Sequence, residues 1–170
     1  HLHGQDTTFQ ITPAGYRFSG ISIVKKTPVD WGMLDGLVGF HLRRAQSVVF
    51  DKFMDSVKAE KVSPGQFGVL ILIAENPGLN QSGLAAALGI ERSTMVAVIN
   101  VLEGRDFVRR TQSTADRRAY VLSLTRQGKK ILASVKTKVK HHEQKITAAL
   151  DDGEQEVLLG LLKKISGHSS

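Results

Sequence analysis

Cysteine is absent from the 170 residues. Its absence excludes a disulfide framework, a cysteine zinc site, a thiol nucleophile and control by thiol oxidation, and leaves the compartment unmarked by redox chemistry. Long apolar runs are missing too. The longest, such as Phe67 to Ala74, falls far short of the roughly 18 to 20 residues that span a bilayer, so no membrane segment is expected. Catalytic signatures are also lacking: there is no phosphate loop, nucleophile elbow or metal-ligand spacing, and neither an enzyme nor a bound cofactor or metal is expected. The chain opens on His1-Leu2-His3-Gly4 without methionine, as a truncated or processed chain would, and those residues carry no argument.

What is present is the composition of a folded, soluble protein, with 41% apolar and 23% charged residues. One compact domain with helical extensions is expected at this length. The formal charge of +7 is unevenly spread. Residues 1–91 carry eight Lys/Arg against eight Asp/Glu, residues 92–130 nine against three, and residues 131–170 six against five. Nearly all the excess cation therefore falls in one stretch, the footprint of a surface that meets a polyanion. The alternative is a solvated basic face with no partner.

Residues 1–28 show no sustained period and read as an extended arm, with residues 1–34 taken together as an N-terminal region. From Asp35 to about Lys58, apolar residues including Leu37, Phe40, Ala45, Val49, Phe53 and Val57 recur at helical spacing, which predicts a long first helix within residues 35–62. Ser63-Pro64-Gly65-Gln66 combines an N-cap serine, proline at the first helical position and a glutamine that completes a capping box, so a second helix starts there. Asn76-Pro77-Gly78 stops it. A short helix follows over Gln81–Leu88, with Gly89 as its C-cap, and another runs from Glu91 to about Arg105. Two helices joined by a three-residue turn containing glycine form a helix-turn-helix. The runs Phe107 to Arg110 and Tyr120 to Leu124, around a polar loop, predict a hairpin wing. Ile131, Val135, Val139, Ile146 and Leu150 mark a third long helix, and Asp151-Asp152 opens a last one. The expected fold is mainly α with a small β-hairpin wing: a winged helix-turn-helix head over residues 63–125, with long dimerisation helices before it and over residues 126–170. The stripes of the terminal helices have no other domain to cover them, and a two-fold homodimer would bury them.

On the helix after the glycine turn, Met95, Val98, Ile99 and Leu102 make an inward face. Arg92, Ser93, Thr94, Val96, Ala97 and Asn100 are left outside, with arginines 92 and 105 flanking them. Such a helix fits a major groove, with its free amides toward phosphate and its outer residues at base edges. Asn100 suits adenine, Thr94 several bases, and Val96 and Ala97 thymine methyls. At the wing tip, Arg117 and Arg118 can reach a narrow minor groove, and Asp116 is suited to orient Arg118. An ordinary surface helix and a solvated turn are the competing readings.

Residues 35–167 resemble the MarR family of winged-helix regulators. The residues that carry the likeness are Arg92-Ser93-Thr94-Met95, Leu102-Glu103, Val108 through Arg110, Asp116-Arg117-Arg118-Ala119 and Leu124-Thr125-Arg126-Gln127-Gly128. The resemblance implies a homodimer joined through its first and last two helices, bound to a pseudo-palindromic duplex operator and usually repressing. It implies that Arg118 is the wing arginine and Asp116 its partner. Val96, Ala97 and Val101 depart from the family's more polar and basic pattern, so Arg92, Ser93, Thr94 and Asn100 carry more of the polar readout. A location in the cytoplasm goes with that role.

The resemblance also implies a small aromatic or acyl anionic effector, with Trp31, Phe40, His41, Arg44 and Phe67 as candidates to line its site. Taken singly, Phe40 and Phe67 also suit a core, and His41 and Arg44 a surface or interface. Lys140-His141-His142-Glu143 invites a metal-responsive reading, but adjacent helical histidines point about 100° apart and do not chelate as an i, i+4 pair would. A solvated helix face is expected there instead. An architectural DNA-binding protein without sequence preference is the alternative from a different functional class.

Overall fold

The computed structural model describes residues 29–113 and 120–167. The chain divides into two units, residues 1–40 and 41–170. In the first, a 3-10 turn spans Gly32–Gly36, and the Trp31 and Phe40 rings lie 5.4 Å apart and tilted. Helix α1, Val38–Ser56, begins three residues later than the periodicity predicts. Gly32 takes a positive φ of 51°, and Leu37 is extended. Two glycines in one turn weaken helical propensity enough for a tighter turn to replace the first helical one.

The remaining elements are α2 (Pro64–Glu75), α3 (Gln81–Leu88), α4 (Arg92–Gly104), β1 (Val108–Gln112), β2 (Tyr120–Leu124), α5 (Arg126–Ile146) and α6 (Asp152–Ile165). The observed fold is the mainly α architecture with a two-stranded hairpin that the sequence predicts. Local chemistry sets the boundaries. Ser63 Oγ accepts from the Gln66 amide at 3.2 Å while the Ser63 amide donates to Gln66 Oε1 at 3.1 Å, closing the capping box of α2. Gly89 ends α3 in the left-handed region at φ 61°, where a side chain would be strained. Asp151 and Glu154 cap α6 reciprocally.

The core gathers Phe53 of α1 and Val57 just past its end, Val69, Leu70 and Ile73 of α2, Leu84 of α3, and Met95, Ile99 and Leu102 of α4. Val108, Leu122 and Leu124 of the hairpin and Leu132 and Val135 of α5 belong to it too, with Val62, Ala85 and Phe107. Each such side chain contributes about 1.5–3 kcal/mol by leaving water. The strands are antiparallel with Val108 opposite Leu124 and Gln112 opposite Tyr120. The Leu122 amide donates to the Leu79 carbonyl at 2.9 Å, tying the hairpin to the loop before α3.

A tight seam joins the hairpin to α5. The Thr125 amide donates to the Phe107 carbonyl at 3.1 Å, and Thr125 Oγ1 caps α5 by accepting from the Gly128 amide at 2.9 Å. A Cβ at position 128 would sit 1.9 Å from the Phe107 carbonyl oxygen, so only glycine permits this approach.

Candidate nucleic-acid interface

Helices α3 and α4 turn through 115° at Gly89-Ile90-Glu91. Asn80 starts α3, its Oδ1 accepting from the Gly83 amide at 2.8 Å. Met95, Ile99 and Leu102 bury one face of α4, and Val98 is half-buried beside them. Arg92, Ser93, Thr94, Val96, Ala97 and Asn100 are all exposed, so six of the residues assigned to DNA contact lie together on one solvent face. The Glu91 side chain does not cap the N-terminus of α4, and its carboxylate accepts instead from Ser93 Oγ at 3.2 Å. Asp116, Arg117 and Arg118 lie outside the described residues.

The arginines around α4 have unlike roles. Arg109 is exposed on β1, where its Nε donates to Ser123 Oγ at 3.1 Å. Arg105, expected to flank the outer face, turns the other way. Its Nη1 donates to the Lys61 carbonyl at 2.7 Å and its Nη2 to the Glu60 carbonyl at 2.6 Å, and its guanidinium stands 4.5 Å from the centre of the Phe107 ring. Arg105 therefore binds backbone carbonyls just past the end of α1, where Lys61 takes a positive φ of 51°. Its charge is spent on structure.

Arg110 is the centre of a polar network that the sequence reading did not single out. Its guanidinium pairs with the Glu103 carboxylate, and its Nη2 donates to Asn100 Oδ1 at 2.8 Å and to Gln81 Oε1 at 3.3 Å. Its own amide donates to Glu103 Oε1 at 3.3 Å. One side chain at the start of the wing thus holds α3 and α4. The signal available in the sequence was the opposite charge of Glu103 and Arg110 on either side of a turn.

The proposed effector residues stand as follows. Trp31 is exposed and Phe40 half-buried, and they pack on each other in the first unit. In the second unit His41 and Arg44 are exposed, and the half-buried Phe67 ring lies 6.1 Å from Phe53 in the core. An open groove of about 450 Å³ lies elsewhere, floored by Ile73, Val121, Leu124 and Leu132 and rimmed by Arg109 and Lys129, and it includes none of those five residues.

His142 corrects the expectation of a solvated face at residues 140–143. It is buried, its ring meets Phe53 edge-on at 5.7 Å, and its Nε2 has no hydrogen-bond partner among the described residues. Among the described residues no three His, Cys, Asp or Glu are grouped to hold a metal ion. No single described helix is long and apolar enough to cross a membrane. Away from the interface, Glu60 accepts from Lys138 Nζ at 2.8 Å and from Ser134 Oγ at 2.7 Å. Those two bonds, the lysine's first, hold its carboxyl below the usual carboxylate range.

Residues 62–120 match the MarR family. A protein of Thauera aromatica named as a transcriptional regulatory protein for the hcr operon is 42% identical over 135 residues, which cover 79% of this chain and 81% of that protein. The transcriptional repressor CouR, solved on a 23-mer DNA duplex, is similar at a TM-score of 0.78 and 40% identity, with 82% of this chain and 99% of that one covered. CouR bound to p-coumaroyl-CoA is similar at a TM-score of 0.76 and 39% identity, with 81% and 97% covered. With α4 presenting an open face beside a basic hairpin, and with a relative this similar over this much of both chains, the chain belongs to the MarR family of transcriptional regulators.

Proposed function

We propose that this regulator is a repressor that binds a pseudo-palindromic duplex operator as a homodimer and leaves it when an aromatic or acyl anion binds. The observation that carries the reading is the solvent face of α4, where small and polar residues stand between Arg92 and a hairpin that presents Arg109. In this reading α4 enters the major groove with Arg92, Ser93, Thr94, Val96, Ala97 and Asn100, and Arg117 and Arg118, with Asp116, approach the minor groove. CouR on duplex DNA supports the partner, and CouR on p-coumaroyl-CoA supports an aromatic acyl thioester as the effector class. Effector contacts are proposed for Trp31 and Phe40 on the first unit and for His41, Arg44 and Phe67 on the second.

A dimer is supported by apolar surface without cover. No residue of α6 is buried, and Val157, Leu158, Leu159, Leu161 and Ile165 are exposed along it. Val48, Val49 and Phe50 are exposed on α1. Residues 35–62 and 126–170 are accordingly assigned to dimerisation and residues 63–125 to DNA binding.

Selection of bound duplexes from a random pool, followed by footprinting, tests the reading. A discrete palindrome protected by a species of dimer mass, and released by p-coumaroyl-CoA at micromolar concentration, is expected. Uniform protection without a palindrome would instead indicate an architectural protein, and a monomer at micromolar concentration would remove the two-fold operator.

A further inference from the structure

We infer that the groove between the end of α2, the hairpin and the first half of α5 is a binding site for an aromatic or acyl anion, whose charge Arg109 and Lys129 receive. The site is separate from the five effector residues named above, and the inference rests on the same proposed effector class.

Small side chains give the groove its room. Ala74 on α2 and Ala133 on α5 line it and are exposed, and a Cβ built on Gly78, just past α2, would meet nothing within 4 Å. Beneath them the buried Ile73, Leu124 and Leu132 form an apolar floor. The volume of about 450 Å³ falls within the roughly 300–1,000 Å³ of small-molecule sites.

Charge is unevenly placed around the rim. Lys136, two turns along α5 from Lys129, is paired with Glu75 at 3.2 Å, so that end of the groove carries no net charge. At the hairpin end Arg109 spends only Nε, on Ser123 Oγ at 3.1 Å. Its two Nη groups, and Lys129 Nζ, have no partner among the described residues. Ser123 accepts the arginine bond and keeps its own hydroxyl proton to donate. Two cations and a hydroxyl at one end of an apolar floor match a carboxylate or phosphate that carries an apolar body. Arg109 and Lys129 are also two of the nine Lys/Arg of residues 92–130. An anion seated on them removes positive charge from the surface read as facing DNA, so anion and duplex each weaken the other's binding.

The test titrates cinnamate, its uncharged counterpart cinnamyl alcohol, and p-coumaroyl-CoA into the full chain, reading affinity by calorimetry and location from the methyl resonances of Ile73, Val121, Leu124 and Leu132. At least one of the two anions is expected to shift those methyls; cinnamate doing so makes a carboxylate sufficient as the head, and p-coumaroyl-CoA alone doing so makes it the phosphates. The anion that binds is expected to do so about tenfold more tightly than the alcohol. K129Q is expected to weaken it by about threefold, and A133W, which fills the groove from an exposed helical position, by more than about tenfold. A74W fills the groove from the opposite wall and replaces A133W if that variant does not fold. The loss of operator affinity that the anion causes, measured against each protein's own ligand-free value, is expected to vanish in the groove-filled variant. Shifts confined to other methyls, alcohol bound as tightly as anion, or undiminished binding by a folded groove-filled variant would overturn the site, while operator release by p-coumaroyl-CoA would leave the proposed function standing without it. If neither anion binds or releases the operator, the site and the proposed effector class fail together.

Discussion

Single side chains in this protein divide between those that hold the head together and those left free to recognise, and type alone does not say which. Arg105 and Arg92 are both arginines at the ends of α4, yet Arg105 donates to two backbone carbonyls and covers a phenylalanine ring while Arg92 is exposed. Hydrogen bonds from a charged donor are among the stronger ones, so R105A is expected to cost about 2 kcal/mol in urea unfolding. Glu60 offers a pH-dependent counterpart. Its carboxyl is held below the usual range by Lys138 and then Ser134, so the folded state binds its proton less readily than the unfolded chain. The stability this contributes is fully present above the unfolded value, about pH 4.3, and is lost as pH falls through the folded value. E60Q is therefore expected to be less stable than wild type at neutral pH, with the difference closing below about pH 4. Parallel melts of the two proteins from pH 7 to pH 3 would show it, and a gap that widened toward acid would contradict the pairing.

Secondary-structure elements were legible where their boundaries are set by a few adjacent residues. Ser63 with Gln66, Gly89, and the acidic pair at Asp151 each act through bonds closed within one turn, and sequence reading placed them correctly. What it could not place were contacts between elements. Arg110 meets Asn100 ten positions away and Gln81 twenty-nine away, and only the hairpin's path brings them together. His142 was readable and was misread as solvated: positions 135, 139, 142 and 146 follow the spacing of one helical face, so the residue that looked like surface continues the stripe of Val135 and Val139 into the core. At this scale Asn80 is the element most open to test, because it caps the short helix on which the turn into α4 depends. N80A is expected to cost about 1 kcal/mol and to lower operator affinity without altering base preference, which isotherms on operator variants would check. A changed preference would mean that Asn80 does more than cap.

For the whole molecule the uneven charge matters more than its total. Nine Lys/Arg against three Asp/Glu over residues 92–130 place the excess cation on α4, the wing and the start of α5. In a dimer making about six to ten phosphate contacts, affinity for any duplex is expected to fall by roughly 10³ to 10⁵ between 50 and 200 mM salt. A flat response across titrations at several salt concentrations would remove DNA from this surface. The seam at Gly128 gives the same head a mechanical property. With the Phe107 carbonyl pressed against the first turn of α5, the wing base and a 21-residue helix are in direct contact at their junction, so a tilt of the helix would carry the wing base with it. A tilt of about 10° at the far end of that helix, roughly 30 Å away, would swing the wing base by about 5 Å, a sizeable part of a groove width. In the proposed dimer, an effector would have no need to touch the recognition surface, since a tilt of α5 would by itself put two heads out of step with their half-sites.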